Sequence, residues 1–312
     1  MKSRTGPGRT LLLLTLALCL LAGAAGGETL KYRGVTVDRD AEKIDLGNLA
    51  VQNWDSFYAF LDQMPNLRQV DMYSTTITRE VFDTLEARYP DVTFGCKLRI
   101  GPRRVRTDVT AFSTRLLDES KTASYAQCEM LRWCGDHLYG LDLGHNPIKK
   151  LDFLYELPEL RVLIVAICKL TDITPIASLK HLEYLEIFHN DIEDLSPLSD
   201  LPYLMDLNIV KNRVTDLTPL YGLKGLRRLW IHLYDQGNKK APDEETLASL
   251  REALPDCKID AESTSTAGGW RTDPHYYVIN RMFQERVYEP FADSKPENMP
   301  EPWRSEALGE AE

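Results

Sequence analysis

The chain has no surplus of positive charge. Its 37 Lys and Arg face 47 Asp and Glu, a formal net charge of −10 over 312 residues. Binding nucleic acid needs a basic footprint against the phosphates, so that class of partner is excluded. Catalytic signatures are missing as well. There is no G-x-S-x-G, no P-loop, no H-E-x-x-H, and no Cys or His spacing that suits zinc. The expectation is a protein that is not an enzyme, with no catalytic residues, no cofactor and no metal. No second long apolar run follows the one near the N-terminus, so the mature chain is expected to carry no membrane span.

The N-terminal run belongs to a separate segment, residues 1–25. Lys2, Arg4 and Arg9 precede the apolar stretch Leu11 to Leu21, and small residues Ala22-Gly23-Ala24-Ala25 follow. That order is a secretory signal peptide, with cleavage expected near Ala24–Gly26 and an extracellular destination. The stretch is shorter than the roughly 20 residues of a spanning helix. Lipidation of Cys19 is the other reading, opposed by the bulky Leu18 before it. Cleavage leaves Cys96, Cys128, Cys134, Cys168 and Cys257, an odd number, so at least one stays free or pairs between chains. Cys128 and Cys134 are six apart, which on a helix points them to different sides and argues against a local bridge.

What the sequence has in abundance is repetition. Leu138, Leu160, Leu182, Leu204 and Leu226 recur every 22 residues. Aligned on them stand LYGLDLGHN, LRVLIVAIC, LEYLEIFHN, LMDLNIVKN and LRRLWIHLY. The first four fit L-x-x-L-x-L-x-x-N/C with Val or Ile in place of the third Leu, the signature of leucine-rich repeats. The last position reads Asn146, Cys168, Asn190, Asn212 and then Tyr234. A buried side chain there must satisfy the turning backbone, so Cys168 reads as a structural thiol. In the second half of the repeat, Thr174, Ser196 and Thr218 each precede a proline, with Asp152 in the matching place of the first repeat. Ser or Thr before Pro suits a helix start. The expected fold is an α/β solenoid, a curved parallel sheet on the concave side with short helical turns and helices on the convex side.

Phrases such as TDITPIASL and TDLTPLYGL resemble the repeats of bacterial leucine-rich-repeat surface and secreted proteins of the internalin-like type. The resemblance covers about 138–234 and implies a fold and a bacterial origin, not a particular function. Around it, residues 28–137 read as irregular N-terminal repeats and a cap. Apolar faces at Phe57, Phe60, Leu61 and Met64, and at Val81, Phe82, Leu85 and Tyr89, predict two helices. A hairpin is expected to turn at Gly101-Pro102. Residues 138–234 hold the five regular repeats and 235–260 a C-terminal repeat or cap. Residues 261–289 read as a linker and a helix opened by Asp273-Pro274, packing through Tyr277, Met282, Phe283 and Val287. The Pro- and Glu-rich 290–312 read as a disordered tail.

Strand alternation turns the residues between the leucines toward the concave surface. Three columns result: Gly140, Val162, Tyr184, Asp206, Arg228; then Asp142, Ile164, Glu186, Asn208, Trp230; then Gly144, Ala166, Phe188, Val210, His232. Val162, Ile164, Tyr184, Phe188, Val210 and Trp230 would form an exposed apolar patch, and such patches mark interaction sites. Glu186, Asp206, Asn208, Arg228 and His232 complete the candidate partner-binding surface. The competing reading folds the C-terminal aromatics Trp270, Tyr276, Tyr277 and Phe283 back over the patch. His145 and His189, two repeats and roughly 10 Å apart, read as ordinary surface residues. The basic run Lys97, Arg99, Arg103, Arg104, Arg106 reads as a solvated hairpin face, with a polyanion site as the sharper alternative. The function expected is a secreted, monomeric protein-binding module. The alternative is a carbohydrate- or cell-wall-binding protein that stacks glycans on the same aromatics.

Overall fold

The computed structural model describes residues 27–115, 122–235, 238–266 and 269–309. The signal peptide expected over 1–25 lies outside them. After the hairpin β1 (Thr29–Tyr32) and β2 (Val35–Asp38), parallel strands β3 (Lys43–Asp45), β4 (Gln69–Ile77) and β5 (Thr93–Ile100) form a sheet. Strand β6 (Arg103–Arg106) adds to it antiparallel to β5 across the Gly101-Pro102 turn. Helices α1 (Trp54–Leu61) and α2 (Arg79–Arg88) make the crossovers. Asn53 and Thr78 begin them by accepting from the N–H groups of Ser56 and Val81. Phe57, Phe60, Leu61, Met64, Phe82 and Leu85 are buried beneath, as their spacing predicts.

The regular repeats build a second sheet. In chain order it contains β7 (Ala111–Ser113), β8 (Gly140–Asp142), β9 (Val162–Ile164), β10 (Tyr184–Glu186), β11 (Asp206–Asn208) and β12 (Arg228–Trp230). The hairpin β13 (Leu233–Asp235) and β14 (Asn238–Lys240) and the helix Glu244–Ala253 lead to the last strand, β15 (Lys258–Asp260). All seven strands of the sheet are parallel and neighbours in sequence are neighbours in space, with β15 beside β12. The register repeats without slip, so Leu141, Leu163, Leu185, Leu207 and Leu229 stack in one row, each wholly buried. This is the leucine-rich-repeat solenoid that the 22-residue period predicts. No helix among the described residues is long and apolar enough to cross a membrane.

Amide side chains turn each repeat. Asn190 accepts from the N–H groups of Cys168 (2.9 Å) and Leu170 (3.1 Å) and donates to the carbonyls of Val165 and Ile187. Asn212, one repeat on, accepts from the Ile192 N–H and donates to the carbonyls of Ile187 and Ile209, and Asn146, two repeats back, accepts from the Ala123 N–H and donates to the Leu143 carbonyl. Cys168 stands in this row with its thiol 3.3 Å from the Leu143 carbonyl. Cys96, Cys128, Cys134 and Cys168 are buried, and every described cysteine is a free thiol. Burial pushes the thiols of Cys128 and Cys134 up to about 12, so neither is a ready nucleophile.

The convex turns differ in one detail from expectation. Thr174, Ser196 and Thr218 do not cap them by their own hydroxyls. The carboxylates of Asp172, Asp194 and Asp216, two residues earlier, accept from the N–H groups of Thr174 (2.8 Å), Ser196 (2.7 Å) and Thr218 (2.9 Å). The turns are single 3-10 turns with Pro at the start. An Asp closes such a short loop onto its own backbone more readily than a hydroxyl does.

Candidate functional site

The columns read from the sequence are those of the sheet. Val162, Tyr184, Asp206 and Arg228 pair in sequence along it, as do Ile164, Glu186, Asn208 and Trp230. They do not form an open surface. None of these eight residues, nor Phe188 and Val210, is more than 8% exposed, and His232 is half-buried. The cover is the chain's own C-terminal segment, a strap over 269–309 that carries helix Pro274–Glu285 and the short helix Trp303–Leu308. The open concave binding face expected from the sequence is thus the floor of a second core. The physical reason is plain: an apolar row this wide is stabilised by the first covalently attached apolar segment that reaches it.

Aromatic rings from the strap fill that floor. Trp270, wholly buried, sits 5.3 Å from the Tyr184 ring and 5.6 Å from the Trp230 ring, and its indole N–H donates to Glu186 at 2.9 Å. Ile279, Met282, Tyr288 and Phe291 are buried in the same cluster, and Tyr276 is buried as well. Gly140 makes room for the helix, since a Cβ there would stand 2.7 Å from the Met282 sulfur. The strap's helix packs through His275, Tyr276, Ile279 and Met282. Of the residues expected to pack, Phe283 is half-buried, whereas Tyr277 and Val287 face solvent. The tail expected to be disordered from Pro290 onward is instead folded over 290–309, with Phe291, Ser294, Asn298 and Met299 buried. Its aromatics and amide find partners on the sheet, which composition alone does not reveal.

Two polar latches hold the strap. In the first, wholly buried Asp206 accepts from Arg228 (2.8 Å) and Arg227 (3.1 Å), and the His275 ring nitrogen lies 2.5 Å away. The other ring nitrogen of His275 meets Asp293 at 2.5 Å, and its face stacks on Phe291 at 4.0 Å. Arg227 also reaches Asp273 at 2.7 Å, and Arg228 donates to the Trp270 carbonyl. Burial would raise Asp206 and Asp273, but hydrogen bonds from His275, Arg228 and Arg227 outweigh it and hold both below the usual carboxylate range. Ligand atoms of Asp206, Asp273 and His275 lie close enough together to hold a metal. Two guanidinium groups already occupy those carboxylates, so the cluster is an ion-pair network by its own charges.

In the second latch, Glu183 accepts from Ser294 and from Asn298, both at 2.7 Å, while Arg161 donates to the Asn298 carbonyl at 2.9 Å. Burial pushes the carboxyls of Glu183, Glu186 and Asp142 upward, because no cation pairs with them closely enough to offset it. What the strap leaves open beside Asp142, His145, Glu186, Arg115, Arg271 and Tyr276 is a cleft of ≈ 20 Å³. That is room for roughly one water. His145 and His189 are exposed on separate repeats and share no cluster.

The reading from sequence missed Arg161, Glu183 and Arg227. These follow the same 22-residue step one residue ahead of the first column, in the series Tyr139, Arg161, Glu183, Met205, Arg227. Charged residues in register there were a signal that another part of the chain had to neutralise them. His275 directly follows the Asp273-Pro274 pair that opens this helix. Asp273 does accept from its N–H at 3.0 Å, but the ring belongs to the latch.

A family model described as Leucine Rich repeats (2 copies) matches residues 158–203. No curated protein matches the chain. Similar solved structures include internalin C2 of Listeria monocytogenes, with 21% identity over 75% of this chain and 80% of that one and a TM-score of 0.32. A second internalin of that organism shares 20% identity over 64% of this chain and 58% of its own, with a TM-score of 0.35. A leucine-rich-repeat protein of Leptospira interrogans shares 21% over 64% and 44%, with a TM-score of 0.35.

Proposed function

We propose that this leucine-rich-repeat chain is a secreted, non-enzymatic protein-binding module whose contact surface is the outer side of its C-terminal strap. The observation that carries the reading is where exposed large apolar side chains lie. Among the described residues these are Tyr155, Tyr277, Val287 and Leu308, 51–61% exposed, and three of the four are on the strap. Solenoids of this kind offer their concave side for recognition. Here that side is filled, and Tyr277 stands on the filling, with exposed Arg281 one helical turn further on. Tyr and Arg together are favoured at binding hot spots. The N-terminal leader sequence supports an extracellular place of action. The glycan alternative needs rings open for stacking, and buried Tyr184, Phe188 and Trp230 offer none.

A photo-crosslinking residue at position 277 of the full chain tests this. Exposed to the proteins of its extracellular surroundings, it is expected to form adducts, whereas the same residue at position 155 forms none. Adducts at both positions or at neither refute the placement. Adducts at position 188 instead would mean that a partner displaces the strap.

A further inference from the structure

We propose that the β5–β6 ribbon is a docking surface for a linear anionic polysaccharide, one carrying sulfate, phosphate or carboxylate groups along its length. The register sets Lys97 directly opposite Arg106 and Arg99 directly opposite Arg104. Residues two apart share a face, so these four cations stand together while Leu98, Ile100 and Val105 are buried beneath. Like charges directly opposite on a sheet are destabilising. The chain supplies little to relieve it. Arg106 is paired with Asp108 and lies 4.1 Å over the Tyr73 ring. The side chains of Lys97, Arg99 and Arg104 have no ion-pair partner among the described residues. The strap adds a fifth cation, since Arg286 donates to the Arg104 carbonyl at 3.4 Å. In a chain of net charge −10 this concentration of one sign runs against the whole.

The neighbourhood selects the kind of anion. Arg286 already holds the Arg104 carbonyl at the ribbon's edge, so a peptide strand adding along β6 would have to break that bond. The Tyr73 ring is covered by Arg106 and is not free to stack on a base. No exposed large apolar side chain lies on the ribbon to enter a membrane. What remains is charge spaced by about 7 Å along the strand and about 5 Å across it, without a pocket. A flexible polyelectrolyte recognised by its charge fits that surface. Arg99 and Arg104 lie on the ribbon and Tyr277 on the strap's helix, so the variants that test this proposal and the protein-contact reading differ, and the two fail independently.

The test is retention of the full chain on immobilised dextran sulfate, with uncharged dextran as the blank. Binding is expected at low salt and should fall steeply as salt rises. The double variant R99S/R104S removes exposed, unpaired side chains and is expected to bind about tenfold more weakly. K150S, an exposed lysine on a convex loop, should bind as the parent does, and circular dichroism should confirm that all three proteins are folded. Equal binding by the parent and R99S/R104S overturns the proposal. So does binding to anionic phospholipid vesicles or duplex DNA with none to dextran sulfate.

Discussion

Replacing Asp206 by Asn separates the strap's polar hold from its apolar one. The substitution keeps the shape and removes one charge from a wholly buried position. Arg228, itself 4% exposed, loses its 2.8 Å partner, and His275 loses one of its two carboxylates. Breaking a buried pair on one side costs about 3–5 kcal/mol. Arg227 keeps Asp273, and Arg228 keeps the Trp270 carbonyl and Asp273 at 3.4 Å. These remaining contacts place the loss at the low end, about 3 kcal/mol. Urea unfolding of the full chain measures it, and hydrogen exchange locates it: peptides from the strap should exchange faster while those from β9 to β11 keep their protection. The parent should show the same loosening in acid. Asp206 and Asp273 lie below their unfolded values near 3.9, so their stabilisation is present above that pH and is lost as pH falls through the folded values. A loss under about 0.5 kcal/mol, or exchange that rises evenly everywhere, would refute the assignment of Asp206 as a latch.

Glu186 titrates the other way. Its folded value is raised by burial, so its contribution is full below the unfolded value near 4.3 and declines as pH rises through the folded one. Glu186→Gln should therefore flatten the fall in stability between pH 4 and 7, and denaturation curves of parent and variant with the same pH slope would contradict this. Asn190→Ala leaves two buried N–H groups and two carbonyls without their side-chain partner. A loss of about 2–4 kcal/mol is expected in chemical denaturation, and a neutral result would show that water substitutes for the amide.

The solenoid was legible because every repeat states it again. Five leucines at one spacing, an Asn or Cys row and a Pro after Thr or Ser are redundant signals, and the columns they predict are those of the sheet. The strap was not legible in that way. Trp270, Tyr276 and Phe291 follow no period of their own, and what they cover is decided by contacts across more than 80 residues, such as Trp270 with Glu186. The sequence offered two readings, an open apolar face and one covered by Trp270, Tyr276, Tyr277 and Phe283; burial of Trp270 and Tyr276 favours the second, which nothing periodic could have chosen. The capping Asp172, Asp194 and Asp216 recur at the same 22-residue step. They stand two residues before a Thr or Ser that suits the same turn, so sequence alone does not say which side chain caps it.

A stack of repeats touches only its neighbours, so an end can fray while the middle stays folded. The strap changes that. It binds Thr110 near one end of the sheet through the Tyr288 N–H, and Asp206 and Arg228 toward the other. A linear array thereby becomes a closed circuit in which loosening any repeat disturbs the same clasp. Unfolding should lose its gradual character, and assembly acquires an order: a strap synthesised after the strands has nothing to lie on until the row beneath it is complete.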